Sequence, residues 1–310
     1  MRIVITGGTG FIGQALIPAL SAAGHEITVL SRNPGEVRRL YPVAGYPAVE
    51  AKGYTPLTPG DWGAVFNGAD AVVHLAGEPI NGRWTPNTKR AMRDSRWTGT
   101  RMVVDAMLAA EPRPRVLVSM SAARANGTSD HTTFDEDSPR PAAPDLLSLI
   151  TQGWEDAARK ADAAGVRTVI PRAGVVLDLG PGIRRMLPVL RPFAGGRVGS
   201  GQQWFTWIHR DDMVAIILDA LAEGPEPMRG IYNATAPEPV KMDEFTRLLG
   251  DILGSRARVP VPGFIIERFL GDGATIVLHG QRVMPRRLLE RGFAFRYPEI
   301  EDALRAMFRG

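Results

Sequence analysis

The chain has 310 residues, of which 44% are hydrophobic, a formal net charge of +4 and no cysteine. This length fits one large domain with a smaller appendage. Without cysteine there is no disulfide, thiol nucleophile or thiolate metal site, and no metal site is predicted. No apolar run reaches the roughly 18 residues of a membrane span, and no signal-peptide pattern precedes the first predicted strand. We therefore expect a cytoplasmic protein with no membrane partner.

A glycine-rich turn follows the first predicted strand. Residues 1–5 form a short apolar run, and residues 14–23 carry apolar side chains at helical spacing. Glycines between them allow a sharp turn, a close approach of a diphosphate to the backbone, and tight packing of helix on strand. The helix start also offers free N–H groups to an anion. A plain glycine-rich turn is the alternative. The predicted dinucleotide-binding residues are Gly7, Thr9, Gly10, Phe11, Ile12 and Gly13.

The second predicted strand, residues 26–30, ends at Ser31 and Arg32. In folds of this kind the second strand ends beside the adenine ribose, where NAD enzymes usually place an acidic residue. Arg32 can instead pair with a 2′-phosphate and stack on adenine, so the sequence favours NADP (NADPH) as cofactor. A loose surface arginine is the alternative.

Strands and helices continue to alternate up to residue 178. Further strands are predicted at 48–53, 69–77, 116–122 and 166–171, and helices at 34–41, 61–66, 86–110 and 146–164. After residue 180 the alternation breaks down, with helices predicted at 183–190, 211–221 and 242–253 and a short strand at 231–233. The pattern predicts an α/β fold: a Rossmann-type, doubly wound parallel sheet with a smaller mixed C-terminal substrate domain.

The predicted boundary lies near residue 178. Residues 1–178 form the expected NADP-binding Rossmann domain, to which parts of 202–235 return, and 179–310 form the expected substrate-binding and C-terminal region. Within the first domain, the fourth strand ends in small residues, the fifth ends in hydroxyls, and the chain leaves the sheet after the sixth, at Arg172. His74 is favoured as a core residue over a catalytic one. The cofactor-binding candidates at these strand ends are Leu75, Ala76, Gly77, Ser119 and Arg172.

Eight motifs are spread over nearly the whole chain. They are residues 5–13 (ITGGTGFIG), 73–78 (VHLAGE), 94–96 (DSR), 136–139 (EDSP), 199–204 (GSGQQW), 207–209 (WIH), 233–240 (NATAPEPV) and 281–285 (QRVMP). In these motifs the chain resembles the extended short-chain dehydrogenase/reductase superfamily, and within it the atypical branch called the epimerase family, known through YfcH-like proteins. The resemblance implies a nicotinamide nucleotide and a small substrate.

The resemblance also implies a catalytic tyrosine and a lysine four residues apart on the helix after the fifth strand, which act in proton transfer and hold the nicotinamide ribose. Anchored on Glu155, the tyrosine position is Leu147 and the lysine position is Thr151. Neither residue can take over this chemistry. The branch often has Tyr-Gly after the serine strand, and here Asn126 replaces that tyrosine.

Three candidates for catalysis remain, each with a plainer alternative. Ser121 can hydrogen-bond a substrate oxygen or bond the local backbone. Glu78 can be an acid/base carboxylate or a loop charge. His209 can be an acid/base or a structural hydrogen-bonding residue at a helix start, and the second interpretation is favoured.

The expected partner is a small molecule. Trp84, Trp204 and Trp207 can line an apolar cleft for it or belong to the core. A denser basic stretch at residues 282–291 is interpreted as a solvated helix face, so no nucleic-acid partner is expected. The chain is expected to be a monomer or homodimer. It is either an NADP-dependent oxidoreductase or epimerase on a small carbonyl or alcohol, or an NADP-binding protein without redox turnover.

Overall fold

One parallel sheet runs through the centre of the protein. The computed structural model describes residues 1–179, 195–255 and 259–308, and the helix predicted at 183–190 lies outside them. The strands of the large sheet are β1 (Arg2–Thr6), β2 (Glu26–Ser31), β3 (Val49–Gly53), β4 (Ala71–His74), β5 (Val116–Ser119), β6 (Ser121–Ala122), β8 (Arg167–Ala173) and β12 (Gly230–Ala234). Their order is β3–β2–β1–β4–β5–β8–β12, with β6 also paired to β8. This is the Rossmann order predicted from the sequence.

Helices flank the large sheet and form much of the C-terminal region. They are α1 (Gly13–Ala22), α2 (Pro34–Leu40), α3 (Pro86–Leu108), α4 (Leu146–Ala163), α5 (Arg210–Leu221), α6 (Met242–Leu253), α7 (Gly263–Leu270), α8 (Thr275–Leu278), α9 (Arg286–Glu290) and α10 (Ile300–Phe308). Polar caps fix several starts locally: Thr85 accepts from the N–H of Thr88 before α3, and Asp145 accepts from Ser148 before α4. Pro86 lies in the first turn of α3, where a helix tolerates proline because the missing N–H would have no partner in the helix.

Two apolar clusters lie on opposite faces of the sheet. On one face, Leu16 and Ile17 of α1 and Ile216 of α5 pack against the strands. On the other, Val103 and Met107 of α3 pack against the strands. Because both faces are covered, the central strands β1, β4, β5 and β8 are buried along nearly their whole length. The edge strand β3 is largely exposed. The sheet is therefore doubly wound, as predicted.

The remaining strands form three small two-stranded sheets. Their members are β7 (Thr133–Phe134) with β14 (Arg282–Val283), β9 (Val175–Leu177) with β11 (Trp207–His209), and β10 (Trp204–Phe205) with β13 (Val240–Lys241). A third apolar cluster packs α6 and α10 around Trp207 in this part of the chain. This cluster also includes Leu177 and Leu179, so it joins the C-terminal region to the end of the preceding segment.

Several boundary predictions were wrong. The strand predicted at 69–77 spans only Ala71–His74, so Leu75, Ala76 and Gly77 follow the strand rather than belong to it. The predicted fifth strand breaks at Met120, because its N–H still bonds the carbonyl of His74 whereas the next residues, Ser121 and Ala122, pair with β8 instead. The predicted exit of the chain at Arg172 also fails, since β8 continues to Ala173 and stays paired with β12. The predicted loop after the fifth strand contains a short 3₁₀ helix at Ala123–Asn126 and the strand β7.

Candidate cofactor and substrate site

The glycine turn joins the carboxyl end of β1 to α1. Gly7 has a φ of +74°, and a Cβ atom there would lie 2.7 Å from the carbonyl carbon of Leu75. A Cβ atom on Gly13 would lie 2.6 Å from the backbone of Gly8. Side chains at these two positions would collide with backbone atoms that cannot move aside, so the turn needs glycine there.

The start of α1 can receive an anion. Among the described residues, the backbone N–H groups of Phe11, Ile12 and Gly13 donate no hydrogen bond. The first turn of α1 contains no acidic side chain. Unpaired N–H groups at the positive end of a helix dipole, approached by a turn without side chains, have the geometry that binds a phosphate or diphosphate.

Tyr41 supports this turn from behind, a role that the sequence analysis did not assign. Its hydroxyl donates to the carbonyl oxygen of Gly8 over 2.8 Å, and the ring is buried. Burial raises the pKa of Tyr41, so the hydroxyl stays protonated and keeps donating at neutral pH. The only sequence signal was an aromatic residue directly after α2.

Arg32 and Glu78 lie on either side of the turn. Arg32, just after β2, is largely exposed, and its Nη1 lies 3.7 Å from Oε2 of Glu78, after β4. Ser31 bonds the backbone of Asn33. Because β2 and β4 both pair with β1, this ion pair spans the carboxyl edge above the glycine turn. The structure therefore brings the predicted adenosine side and the predicted catalytic carboxylate together.

Arg96 of α3 lies beneath the end of β4. Its Nη1 donates to the carbonyl oxygens of Glu78 (3.0 Å) and Met92 (3.2 Å), and its guanidinium lies 5.0 Å from the ring centroid of Trp154. Burial lowers the pKa of Arg96 to about 10, and the more distant Glu78 carboxylate counteracts part of this shift. Arg96 is part of the motif at residues 94–96, but the sequence alone indicated no binding or catalytic role for it.

Ser121 and Arg172 belong to one buried network. The Ser121 hydroxyl donates to Oε1 of Glu155 over 2.8 Å. Arg172 donates to both carboxylate oxygens of Glu155, at 2.7 and 2.9 Å, and to Oδ1 of Asn126 at 3.1 Å. A serine hydroxyl has a single proton to donate. Because Ser121 uses this proton in its hydrogen bond to Glu155, it can only accept a hydrogen bond from a ligand. The Arg172 guanidinium is buried and faces the protein interior.

The positions expected to hold tyrosine and lysine lie on the first turns of α4. Leu147 is buried and packs with Trp84, Met92 and Ile150. Thr151 donates its hydroxyl to the carbonyl oxygen of Leu147 over 2.7 Å. This part of the edge is therefore apolar, and the Thr151 hydroxyl is bonded to its own helix. At the end of β5, Ser119 Oγ is buried and has no hydrogen-bond partner within the described ranges.

His209 lies at the start of α5. Its Nδ1 accepts from the N–H of Asp211, and its ring packs against that of Tyr297, with the centroids 4.0 Å apart and the planes tilted by 43°. Burial lowers the pKa of His209, opposed by the charges of nearby aspartates. These contacts match the structural alternative. The next residue, Arg210, pairs with Asp178 and lies 5.0 Å from the Phe11 ring centroid, so it borders the glycine turn.

The three predicted tryptophans lie in three different environments. Trp84 is buried in the cluster with Leu147 and donates to Ile80. Trp207 is 1% exposed and packs in the core of the C-terminal region. Trp204 lies partly exposed beneath Lys241, 3.8 Å from its ring centroid. The structure therefore does not gather them into one cleft, and only Trp84 borders the apolar part of the carboxyl edge.

His74 connects three elements behind the site. Its Nδ1 lies 2.6 Å from Oγ1 of Thr6 in β1, and its Nε2 lies 2.9 Å from Oγ1 of Thr100 in α3. The ring is 1% exposed, and burial lowers the pKa of His74 to about 4. The neutral imidazole is thus a hydrogen-bonded core group, as the sequence favoured.

Other features of the described residues bear on the predicted partners. Three of the four arginines at 282–291 are ion-paired, with Arg286 and Arg287 on Asp137 and Arg291 near Asp219. The fourth, Arg282, lies over the Trp204 ring. A cavity of about 450 Å³ opens at the amino ends of β1 and β2, opposite the edge where such sheets bind ligands.

Within residues 1–179, 195–255 and 259–308, no three His, Asp or Glu side chains are placed to hold a metal ion. In the same ranges, no helix is both long and apolar enough to cross a bilayer.

The sheet order and the glycine turn together define a Rossmann-type α/β protein with a small C-terminal region. Residues 3–234 match the NAD dependent epimerase/dehydratase family, and residues 261–307 match a domain of unknown function, DUF1731. The chain belongs to this epimerase family, and the resemblance drawn from its motifs is confirmed.

Similar proteins extend over the whole chain. The Epimerase family protein SDR39U1 homolog, chloroplastic, of Arabidopsis thaliana is 42% identical over 312 residues, which is 100% of this chain and 87% of the relative. Epimerase family protein YfhF of Bacillus subtilis is 34% identical, with 98% and 97% of the two chains covered. A crystal structure of human epimerase family protein SDR39U1 (isoform 2) with NADPH superposes with a TM-score of 0.84 at 34% identity, covering 99% of both chains.

Proposed function

We propose that this protein binds NADPH along the carboxyl edge of its large sheet and uses it on a small carbonyl or alcohol substrate. One observation carries the proposal: free N–H groups at the start of α1 face a glycine turn, with Arg32 rather than an acidic residue after β2. The turn suits the diphosphate and Arg32 suits the 2′-phosphate. The NADPH in the crystal structure of the human relative supports the same cofactor.

The chain's own residues have separate roles in this proposal. Gly10 leaves room for the diphosphate, Gly7 and Gly13 allow the tight turn and close packing that expose the N–H groups, and Tyr41 bonds the turn through the Gly8 carbonyl. Arg32 pairs with the 2′-phosphate. Leu147 and Trp84 exclude water from the nicotinamide end, where the bound cofactor would donate or accept a hydride. Reduction or epimerisation at that end needs no tyrosine if the substrate oxygen is polarised by another donor, but it should be slow.

A second function is favoured by a specific observation. The hydroxyls of Thr151 and Ser121 donate hydrogen bonds to Leu147 and Glu155, so neither is available as a proton donor to a substrate. A protein of this design can bind NADPH without redox turnover, as a sensor or in non-redox chemistry. Incubating the protein with NADPH and a panel of aldehydes and ketones, while following the nicotinamide absorbance, separates the two functions. Turnover supports the oxidoreductase, and binding without turnover supports the alternative.

The cofactor assignment is tested by titrating NADPH and NADH separately against the wild type and Arg32→Ala. A charge-assisted contact to the 2′-phosphate contributes about 1.5–3 kcal/mol, or roughly ten- to a hundredfold in affinity. We expect the wild type to prefer NADPH by this factor and Arg32→Ala to lose the preference. Arg38→Ala, an exposed arginine on α2, is the matched control and should keep it. Equal affinities of the wild type for both nucleotides would refute the assignment.

A further inference from the structure

Arg96 carries a charge that no ion pair neutralises. Arg32 and Arg172 each lie within 4.0 Å of a carboxylate, whereas Arg96 has no carboxylate this close among the described residues. Its Nη1 is satisfied by two backbone carbonyls, on Glu78 and Met92, but its Nε and Nη2 donate no hydrogen bond there. A half-buried guanidinium with unused N–H groups has unmet capacity for an oxygen or anion.

The unused edge of the guanidinium lies at the predicted path of the cofactor. A Cβ atom built on Gly77 would lie 3.2 Å from both Cζ and Nη2 of Arg96, so the guanidinium lies directly against the backbone that follows β4. The Trp154 ring supports it from α4. In a sheet of this strand order, the nicotinamide half of a dinucleotide lies over the carboxyl ends of β4 and β5.

Two other hydroxyls near these strand ends are already used, whereas the Ser119 hydroxyl at the end of β5 is buried and has no partner among the described residues. The hydroxyl of Thr151 bonds Leu147, and the hydroxyl of Ser121 bonds Glu155. We propose that Arg96 binds the nicotinamide half of NADPH, donating from Nε and Nη2 to its ribose and the phosphate attached to that ribose. Arg96 thereby supplies from α3 the positive charge that related dehydrogenases supply with a lysine on α4. This inference rests on the NADPH binding proposed above.

Two ligands separate this role from a general effect on the site. NADPH contains the nicotinamide half, whereas 2′,5′-ADP carries only the adenosine, its 2′-phosphate and its 5′-phosphate. For Arg96→Met, isothermal titration should show a loss of NADPH affinity of roughly ten- to a hundredfold, as expected for charge-assisted hydrogen bonds. The affinity for 2′,5′-ADP should stay at the wild-type value. Arg96→Lys keeps the charge and should recover part of the NADPH affinity.

Arg93→Met is the matched control. Arg93 is on the same helix and also lies over a tryptophan, at 5.8 Å from the Trp97 centroid, but it is exposed and paired with Asp94. Its substitution should leave the affinities for NADPH and 2′,5′-ADP unchanged. This result would show that losing one positive charge from α3 is not enough to weaken NADPH binding.

Three results would overturn the inference. NADPH binding unaffected by Arg96→Met would remove the contact. An equal loss for NADPH and 2′,5′-ADP in both Arg96 variants would reduce Arg96 to a support of the loop after β4. A wild type that binds neither ligand would refute the proposed function itself, and this inference with it.

Discussion

The buried His74 makes the free energy of unfolding depend on pH in a way that can be calculated. Its ring bonds Thr6 and Thr100, and Thr6 Oγ1 in turn accepts from the N–H of Ala76, beside the predicted cofactor. The pKa of His74 falls from 6.5 to about 4 because burial disfavours the imidazolium, and the nearby charge of Arg96 lowers it further. The folded protein therefore holds His74 neutral where the unfolded chain would protonate it.

The direction of the effect follows from this difference. Between pH 6.5 and 4 the unfolded chain binds a proton that the folded chain does not, so protonation favours unfolding as the pH falls. The stabilisation from neutral His74 is fully present above about pH 6.5 and is lost as the pH approaches 4. Lowering the pH from about 7 to about 4.5 should reduce the free energy of unfolding by about 2 kcal/mol through His74, with a slope of about 1.2 kcal/mol per pH unit around pH 5.

Urea unfolding of the wild type and His74→Gln, at pH values from 4.5 to 7.5, measures this contribution. Glutamine does not titrate, so the two free energies of unfolding should converge by about 2 kcal/mol as the pH falls over this range. The other titratable groups are present in both proteins, so their contributions to the difference cancel. His131→Gln, at an exposed histidine, should run parallel to the wild type. A His74→Gln curve that also ran parallel would refute the buried, neutral histidine.

Two further predictions concern residues around the candidate site. Glu78→Gln should strengthen NADPH binding about two- to fivefold and leave NADH binding unchanged, because it removes an exposed ion pair that competes with the 2′-phosphate for Arg32; weaker NADPH binding in a titration would contradict this. Glu155→Gln should lower the free energy of unfolding by about 3–5 kcal/mol, since it leaves Arg172 buried without its carboxylate. Urea unfolding measures that loss, and a change below about 1 kcal/mol would contradict it.

Local patterns predicted the first part of the fold well. The apolar run of β1, the glycine turn and the spacing of Leu16 and Leu20 in α1 lie within a few neighbouring residues, so their physics is visible in the sequence. The strand order followed from the same pattern through the known topology of parallel sheets. The break at Met120 was missed because it depends on which strand the next residues pair with, β8 rather than β4.

The partners of buried polar residues could not be predicted in the same way. Ser121 and Glu155 are 34 residues apart, and Thr6 and His74 are 68 apart. No local pattern indicates such pairs, because they form only when the sheet brings distant strands and helices together. The proposed role of Arg96 could not be predicted for the same reason. It depends on the position of the guanidinium against Gly77, which the Asp94-Ser95-Arg96 motif alone does not reveal.

In the proposed complex the glycine turn binds the diphosphate of NADPH. Isothermal titration of NADPH into the wild type and Gly10→Val tests this contact. A Cβ atom on Gly10 would lie 3.1 Å from the carbonyl oxygen of Gly7, a much looser contact than the 2.6–2.7 Å at Gly7 and Gly13. The variant should therefore fold, while its methyl groups occupy the place of the diphosphate. Gly224→Val, where a Cβ meets no atom within 4 Å, is the control. We predict NADPH binding by the wild type and Gly224→Val and none by Gly10→Val. Binding by Gly10→Val with wild-type affinity would contradict the claim.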